Sequence, residues 1–94
     1  MGQPVSLKGH NHSCPLSRHK GGPVTETQQS FVTVEGIPIA TVGDVCLCTG
    51  VPTDDSISSG SILVSIEGKK VARIGDSCSH GGQLIEGIEW VTFD

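Results

Sequence analysis

Apolar and polar residues follow the same pattern in two stretches of the chain. Residues 31–44 read FVTVEGIPIATVGD, and residues 63–76 read LVSIEGKKVARIGD. Ahead of the Glu-Gly pair, apolar and polar residues alternate with period 2, which is typical of a strand with one buried face. The Gly of each pair can adopt the positive φ of a tight hairpin. Each copy therefore predicts a strand, a turn at Glu35-Gly36 or Glu67-Gly68, and a returning strand.

A third, truncated copy, residues 90–94, stops where the turn would come, so the chain contains nearly three passes of one motif. Superposing the passes aligns apolar residues on one side of the strands and small polar residues on the other. The aligned apolar sets are Val32 with Val64 and Val91, Val34 with Ile66 and Phe93, Ala40 with Ala72, and Val42 with Ile74. Three such faces can bury their apolar sides by facing one another around a shared axis.

The predicted fold is therefore all-β, a single domain built as a three-sided β-cone or prism of pseudo-threefold hairpins. The turns lie at one end and three Gly-rich loops at the other. The alternative is two adjacent hairpins in an ordinary β-sandwich. The predicted strands span residues 24–34, 39–42 and 84–93, and the second pass, with its turn, spans residues 57–76. The predicted loops span residues 10–22, 45–56 and 77–83. Within the domain, residues 1–8 are expected to be an irregular segment, with 3–7 at most extended.

Composition limits the core and the classes of partner. The chain has 94 residues and 35% hydrophobic content, with two Phe, one Trp and no Tyr, so a large aromatic core is excluded. A net charge of −4 with six Lys and Arg disfavours nucleic acid, since neutralising phosphates needs a basic face. No apolar run suits a signal peptide or the roughly 20 residues of a membrane span. We expect a product that is cytoplasmic after synthesis.

All the His and Cys residues lie in the three loops, which indicates a metal site. The possible ligands are His10, His12, Cys14, His19, Cys46, Cys48, Cys78 and His80. A tetrahedral zinc site of imidazole and thiolate would stabilise a small domain with little core, because its binding energy becomes folding energy. Spacing alone does not choose the four ligands. His10 is alternatively a solvent-facing histidine, and Cys14, Cys46 and Cys78 are alternatively small buried residues.

The hairpins, the Gly-Asp pairs that end them and the HGG at residues 80–82 resemble PAAR-repeat proteins. The Pro-Ala-Ala-Arg box is imperfect in both copies, PIAT at residues 38–41 and KVAR at residues 70–73. The resemblance covers roughly residues 9–94. It implies a single zinc near the apex of a cone, held by three His and one Cys. The matching residues are His12, His19, Cys48 and His80, with Cys14 as a rival for the thiolate, and iron is possible instead of zinc.

The resemblance also implies a function. Such proteins cap and sharpen the trimeric β-helical spike, VgrG-like or of a phage tail, of type VI secretion systems and contractile phage tails. One monomer per trimer is expected, docked through its wide end, with Ile37, Pro38, Lys69 and Lys70 as candidate partner-binding residues. The expectation includes injection with the spike or location in a virion tail, transient contact with the target membrane, and possibly separate effector proteins.

An enzyme is the competing interpretation. A small zinc-dependent hydrolase would use Asp54, Asp55 or Glu86 as the general base beside a zinc-bound water. Catalytic zinc keeps an open coordination position, whereas this chain offers enough His and Cys to fill all four. The prediction is therefore a structural protein and not an enzyme. A zinc-dependent nucleic-acid binder is disfavoured by the charge.

Overall fold

The computed structural model describes residues 2–16, 18–50 and 53–94. Within these ranges the chain has strands and no helix, which confirms the all-β prediction. The strands are β1 (Gln3–Val5), β2 (Asn11–His12), β3 (Gly22–Glu26), β4 (Thr33–Val34), β5 (Ile37–Pro38), β6 (Val45–Cys48), β7 (Thr53–Ser56), β8 (Ser65–Ile66), β9 (Lys69–Lys70) and β10 (Ile88–Phe93).

The two predicted hairpins form at the predicted turns. β4 pairs with β5 across Glu35-Gly36, and β8 pairs with β9 across Glu67-Gly68. Both turns have positive φ at both central residues, 53° and 82° in the first and 51° and 82° in the second. This twist matches the right-handed twist of paired strands, which is why such turns suit two-residue hairpins.

The third hairpin is completed by the N-terminal residues. β1 pairs antiparallel with β10, so that Phe93 lies opposite Gln3 and Thr92 opposite Pro4. In the first hairpin Val34 lies opposite Ile37 in the same register. Residues 3–5 thus take the place of a returning strand. The expectation of an irregular segment over residues 1–8 is corrected for residues 3–5, which form β1 and supply the missing half of the third copy. The extended conformation expected within residues 3–7 is present there, and Met1 lies outside the described residues.

Backbone hydrogen bonds close the three copies around a common axis. The amide of Ser6 donates to the carbonyl of Ala72 (3.0 Å), that of Ala72 to Ala40 (2.9 Å), and that of Ala40 to Ser6 (2.9 Å). Each copy thus donates to one neighbour and accepts from the other. The predicted three-sided arrangement is present, and the sandwich alternative does not apply.

Each copy ends in a turn in which a side chain accepts the backbone N–H of the residue three positions earlier. Asp44 Oδ2 accepts the backbone N–H of Thr41 at 2.7 Å, and Asp76 Oδ2 accepts that of Arg73 at 2.7 Å. His10 Nδ1 accepts the N–H three residues before it at 3.0 Å. His10 therefore occupies the Asp position of the third copy and acts as a turn cap.

The core is divided into two clusters. One contains Val5, Leu7, Ile39 and Val71, covered by apolar residues of the three hairpins. The other contains Val24, Ala40, Cys46, Ile57, Ala72, Cys78 and Leu84. Since each copy runs from its hairpin through the first cluster to the second, the hairpins lie at one end and the loops at the other. Val32, predicted to face inward, is instead 43% exposed.

Three predicted strand boundaries are corrected. β3 ends at Glu26 instead of residue 34, because the side-chain oxygen of Gln29 accepts the amides of Phe31 and Val32 and so turns the chain. β10 starts at Ile88 instead of residue 84. Residues 39–42 make isolated bridges through Ile39 and Thr41 instead of a continuous strand.

Loop two, predicted over residues 45–56, is mostly a hairpin. β6 pairs with β7 in continuous register from Val45–Ser56 to Cys48–Thr53, and the residues between Gly50 and Thr53 lie outside the described part of the chain. The burial along β6 alternates, with both cysteines inward. Counting Cys as a small apolar residue would have revealed this strand. Loop one likewise contains the short strand β2, which pairs with β3.

Candidate metal centre

The three copies bring equivalent residues together beyond the second core cluster. Cys14, Cys48 and His80 each lie four residues after the residue that caps the turn of their copy. His19, from the same loop as Cys14, joins them. One ligand atom from each of these four residues lies within 4.8 Å of every other. We call this group the outer set.

The distances in the outer set fit a tetrahedral ion. Cys14 Sγ lies 3.4 Å from His19 Nδ1 and 3.5 Å from His80 Nδ1, and Cys48 Sγ lies 3.3 Å from His80 Nδ1. With Zn–S of about 2.3 Å and Zn–N of about 2.0–2.1 Å, a tetrahedral ion separates sulfur from nitrogen by about 3.6 Å. Two thiolates and two imidazoles are therefore almost in position for a zinc-like ion.

His12 lies on the buried side of Cys48. Its Nδ1 is 2.7 Å from the carbonyl oxygen of Gly22, which can only accept, so Nδ1 carries a hydrogen. Its Nε2 is 3.4 Å from Cys48 Sγ and 3.3 Å from Asp55 Oδ2. His12, Cys48 and Asp55 form a second group within 4.8 Å, and all three are buried. We call this group the inner set.

Asp55 faces both sets. Its Oδ1 accepts the backbone N–H of Ser56 at 2.7 Å and that of His80 at 3.1 Å. Its Oδ2 makes no hydrogen bond among the described residues, although it lies within ion-pair distance of His12 Nε2 (3.3 Å) and His80 Nδ1 (3.6 Å). An unpartnered buried carboxylate oxygen is costly. This orphaned oxygen amid thiols and imidazoles is the environment that a bound cation would stabilise.

Burial and neighbouring thiols raise the pKa values of Cys46 and Cys48. Burial, followed by the neighbouring Cys14, raises the pKa of Cys48 to about 12. The hydrogen bond with Cys78, followed by burial, raises the pKa of Cys46 far above the usual thiol range. Without a cation Cys48 is therefore a thiol at neutral pH, and a metal would have to displace its proton.

The four predicted ligands occupy one cluster. His19, Cys48 and His80 belong to the outer set, whereas His12 belongs to the inner set and touches the outer one through Cys48. Cys14, considered only as a rival thiolate, joins Cys48 in the outer set. Cys46 and Cys78 are buried in the core, as the alternative interpretation held. The four cysteines are all free.

The residues considered as general bases lie in different surroundings. Asp54 is exposed, while Asp55 is 4% exposed and lies against His12. Glu86 is exposed and accepts hydrogen bonds from the backbone amide and side chain of Asn11. Sequence reasoning alone does not distinguish the two residues of this acidic pair. The period-2 burial of β7 was the missed signal, since it directs Asp55 inward and Asp54 outward.

Each copy exposes an apolar residue, ahead of its hairpin turn, that the sequence analysis did not select. Phe31, Leu63 and Trp90 are 78%, 72% and 70% exposed. They occupy the same position in the three copies, three residues before the last residue of β4, β8 and β10. We call these three residues the apolar ring. The repeat alignment could have identified these residues, because each is the first residue of its copy.

Fold and site together define a small all-β protein with three equivalent hairpins at one end and a His/Cys donor cluster at the other. A model of the PAAR motif family matches residues 16–86. The chain therefore belongs to the PAAR-motif family. A search of curated proteins found no match. Within the described ranges, no helix has the length and apolar character needed to cross a membrane.

Proposed function

We propose that this protein is the tip of an injection machine: it caps a trimeric β-helical spike of a type VI secretion system or a contractile phage tail. Membership of the PAAR-motif family supports a spike-tip role. The observation that carries the proposal is the closed ring of backbone hydrogen bonds through Ser6, Ala40 and Ala72. A single chain with three equivalent faces can match a threefold partner without assembling with itself.

The apolar ring is the main docking surface in this proposal. Large exposed side chains on a small protein usually mark an interaction site, and aromatic residues are frequent hot spots. Three such side chains at equivalent positions can make the same contact with each chain of a trimer. The turn residues Ile37, Pro38, Lys69 and Lys70 lie in β5 and β9, the returning strands of two hairpins, and are proposed as further contacts.

The donor cluster would stiffen the opposite end. A zinc or iron ion held by the outer set would link loop one to β6 and to loop three, so that three separate segments share one centre. The ion has a structural role here, and no residue is assigned to catalysis. A rigid point at the far end from the docking surface is what a tip needs when it first meets a target envelope.

The test is reconstitution with a trimeric spike. The purified chain is mixed with trimeric spike proteins from the same genome, and the mass of each complex is measured by light scattering. We expect one copy of the chain per trimer. Failure to bind any of these spikes, or binding of three copies per trimer, would contradict the capping function.

Variants of the apolar ring test the docking surface. We expect Trp90→Ala and Phe31→Ala each to weaken spike binding about 10- to 100-fold, which corresponds to a loss of about 1–3 kcal/mol per hot spot. The matched control is Ile85→Ala, because Ile85 is 52% exposed and lies outside the ring. Equal effects of Ile85→Ala and the ring variants in calorimetric titrations would remove the ring from the interface.

A further inference from the structure

The three hairpins share one backbone pattern, and the second hairpin departs from the other two in its side chains. Its outgoing segment contains Ile62, whereas the aligned residues of the first and third copies are Ser30 and Glu89. Ile62 is 84% exposed, more than any other large apolar side chain in the described part of the chain. The second copy therefore exposes apolar surface that the repeat itself does not require.

A second departure lies in the returning strand of the same hairpin. At one position of each copy the carbonyl oxygen accepts a backbone amide of the adjacent copy at 2.8–3.0 Å, and this position is held by Pro4, Pro38 and Lys70. Since the N–H and C=O of a strand residue point to the same side, an N–H at this position also points away from its own hairpin. Proline has no N–H and so protects an exposed strand edge. Only the second copy therefore offers a backbone donor here.

Ile62 and Lys70 lie side by side. The amide of Ser61 donates to the carbonyl of Val71 at 2.8 Å, and a Cβ added to Gly60 would lie 3.0 Å from Lys70 Cβ. The chain at Ile62 therefore runs along the returning strand at Lys70. A single extended segment of another protein can contact both residues.

The second hairpin is also the basic one of the three. It contains Lys69 and Lys70 with one Glu, whereas the first hairpin contains one Glu and the third contains Glu89 and Asp94, and neither of these two has Lys or Arg. In a chain with a net charge of −4, the basic side chains of the hairpins are thus confined to one copy. A carboxylate is the group that complements them.

A threefold partner gives no reason for these differences between copies. On a trimer the three rotations of the cap are equivalent, so a feature present in one copy meets only one of three identical sites. This step rests on the proposed function, which assigns the features common to all copies to the spike. Features confined to the second copy suit a partner that binds without threefold symmetry.

We propose that Ile62 and Lys70 form a docking surface for one extended segment of a second protein, bound once per tip. The segment carries carboxylate and large apolar side chains. Its carboxylate pairs with the Lys70 ammonium, its backbone carbonyl accepts the Lys70 N–H, and its apolar side chains cover Ile62.

Peptide selection on the free full chain tests this surface. A phage-displayed library of random peptides is selected on the immobilised chain, and the most enriched peptide is synthesised and titrated by fluorescence anisotropy. We expect enriched peptides to combine Asp or Glu with large apolar residues and to bind one per chain. Lys70→Pro and Ile62→Ser, which restore residues of the other copies, should each weaken binding by about 10-fold. Ile85→Ala is the matched control and should bind the peptide as the parent chain does.

Several results would overturn the proposal: no enriched peptide, enrichment of neutral or basic peptides, or equal binding by the parent chain and the two variants. Equal losses in Phe31→Ala and Ile62→Ser would also overturn it, because the peptide would then bind the apolar ring. Dimers of the free chain that Ile62→Ser abolishes would assign the surface to a second copy of the chain instead. Circular dichroism on both variants separates loss of binding from loss of the fold. No spike is present in these measurements, so failure of the capping function is detected separately.

Discussion

At the scale of single residues, the donor cluster arises from one position of the repeat that differs between copies. Cys14, Cys48 and His80 are equivalent in place and differ only in chemistry. The closed backbone places them together whatever side chain they carry. The fold therefore brings the donors close, and the residue types decide whether an ion can bind.

The role of Cys14 gives the first prediction at this scale. If both thiolates bind the ion, Cys14→Ser should remove about half of the thiolate-to-cobalt charge-transfer absorption of the Co²⁺ form and weaken metal binding by about 10-fold or more. Cys78→Ser is the control, since Cys78 is a cysteine of the core outside both sets. Competition with a chromophoric chelator measures the affinity. An unchanged absorption band in Cys14→Ser would show that Cys48 is the sole thiolate.

The candidate site could be predicted from the sequence as a set of donors but not as a geometry. Residue types and loop positions indicated a larger pool of His and Cys donors, and the resemblance to PAAR-repeat proteins selected His12, His19, Cys48 and His80 from it. Spacing could not show that Cys14 lies against His19 and His80, because that depends on how loop one folds back. The inward direction of Asp55 depended on recognising β7, which the polar sequence TDDS conceals.

At the scale of elements, the hairpins are the most predictable part of the fold. Alternation and the Glu-Gly pairs identified both turns, because local backbone chemistry decides them. Strand lengths were overestimated, since side-chain caps end the strands early. Gln29 does this in the first copy, and Ser61 does the same in the second by accepting the amides of Leu63 and Val64.

The hairpin turns give a prediction of stability. Glu35 has φ of 53°, a conformation in which Asn is much more favourable than Glu. We expect Glu35→Asn to raise the free energy of unfolding by about 0.5–1 kcal/mol. Glu26→Asn is the control, because Glu26 is also exposed but lies in β3 without positive φ. Urea denaturation measures both, and a destabilised Glu35→Asn would refute the argument from turn conformation.

At the scale of the whole molecule, the third copy is split between the two ends of this chain. Its outgoing strand is in β10 and its returning strand is in β1. The sequence carried this information weakly: residues 4–10 read PVSLKGH, against PIATVGD at residues 38–44. A linear search for repeats misses such a copy, because its two halves are about 80 residues apart and His10 replaces the Asp.

This arrangement predicts that the chain can be circularly permuted without a linker. In the first hairpin Val34 lies opposite Ile37, and the two residues Glu35-Gly36 connect them. Phe93 lies opposite Gln3 in the same way. Joining Asp94 directly to Gly2, without Met1, supplies two residues of the same kind, and Asp-Gly is a preferred sequence for this turn. New ends placed between Glu35 and Gly36 open the equivalent hairpin.

We expect this permutant to fold with the backbone of the parent chain. Its free energy of unfolding should be within about 1 kcal/mol of the parent's, because one hairpin turn is exchanged for another. Amide chemical shifts compare the folds, and urea denaturation compares the stabilities. The control carries Gly2→Val at the new junction. A branched side chain strains the positive φ required there, so the free energy of unfolding of this control should be about 1–2 kcal/mol lower than that of the permutant. A permutant that fails to fold, or a control equal to it in stability, would mean that β1 and β10 do not form the third hairpin of a closed threefold repeat.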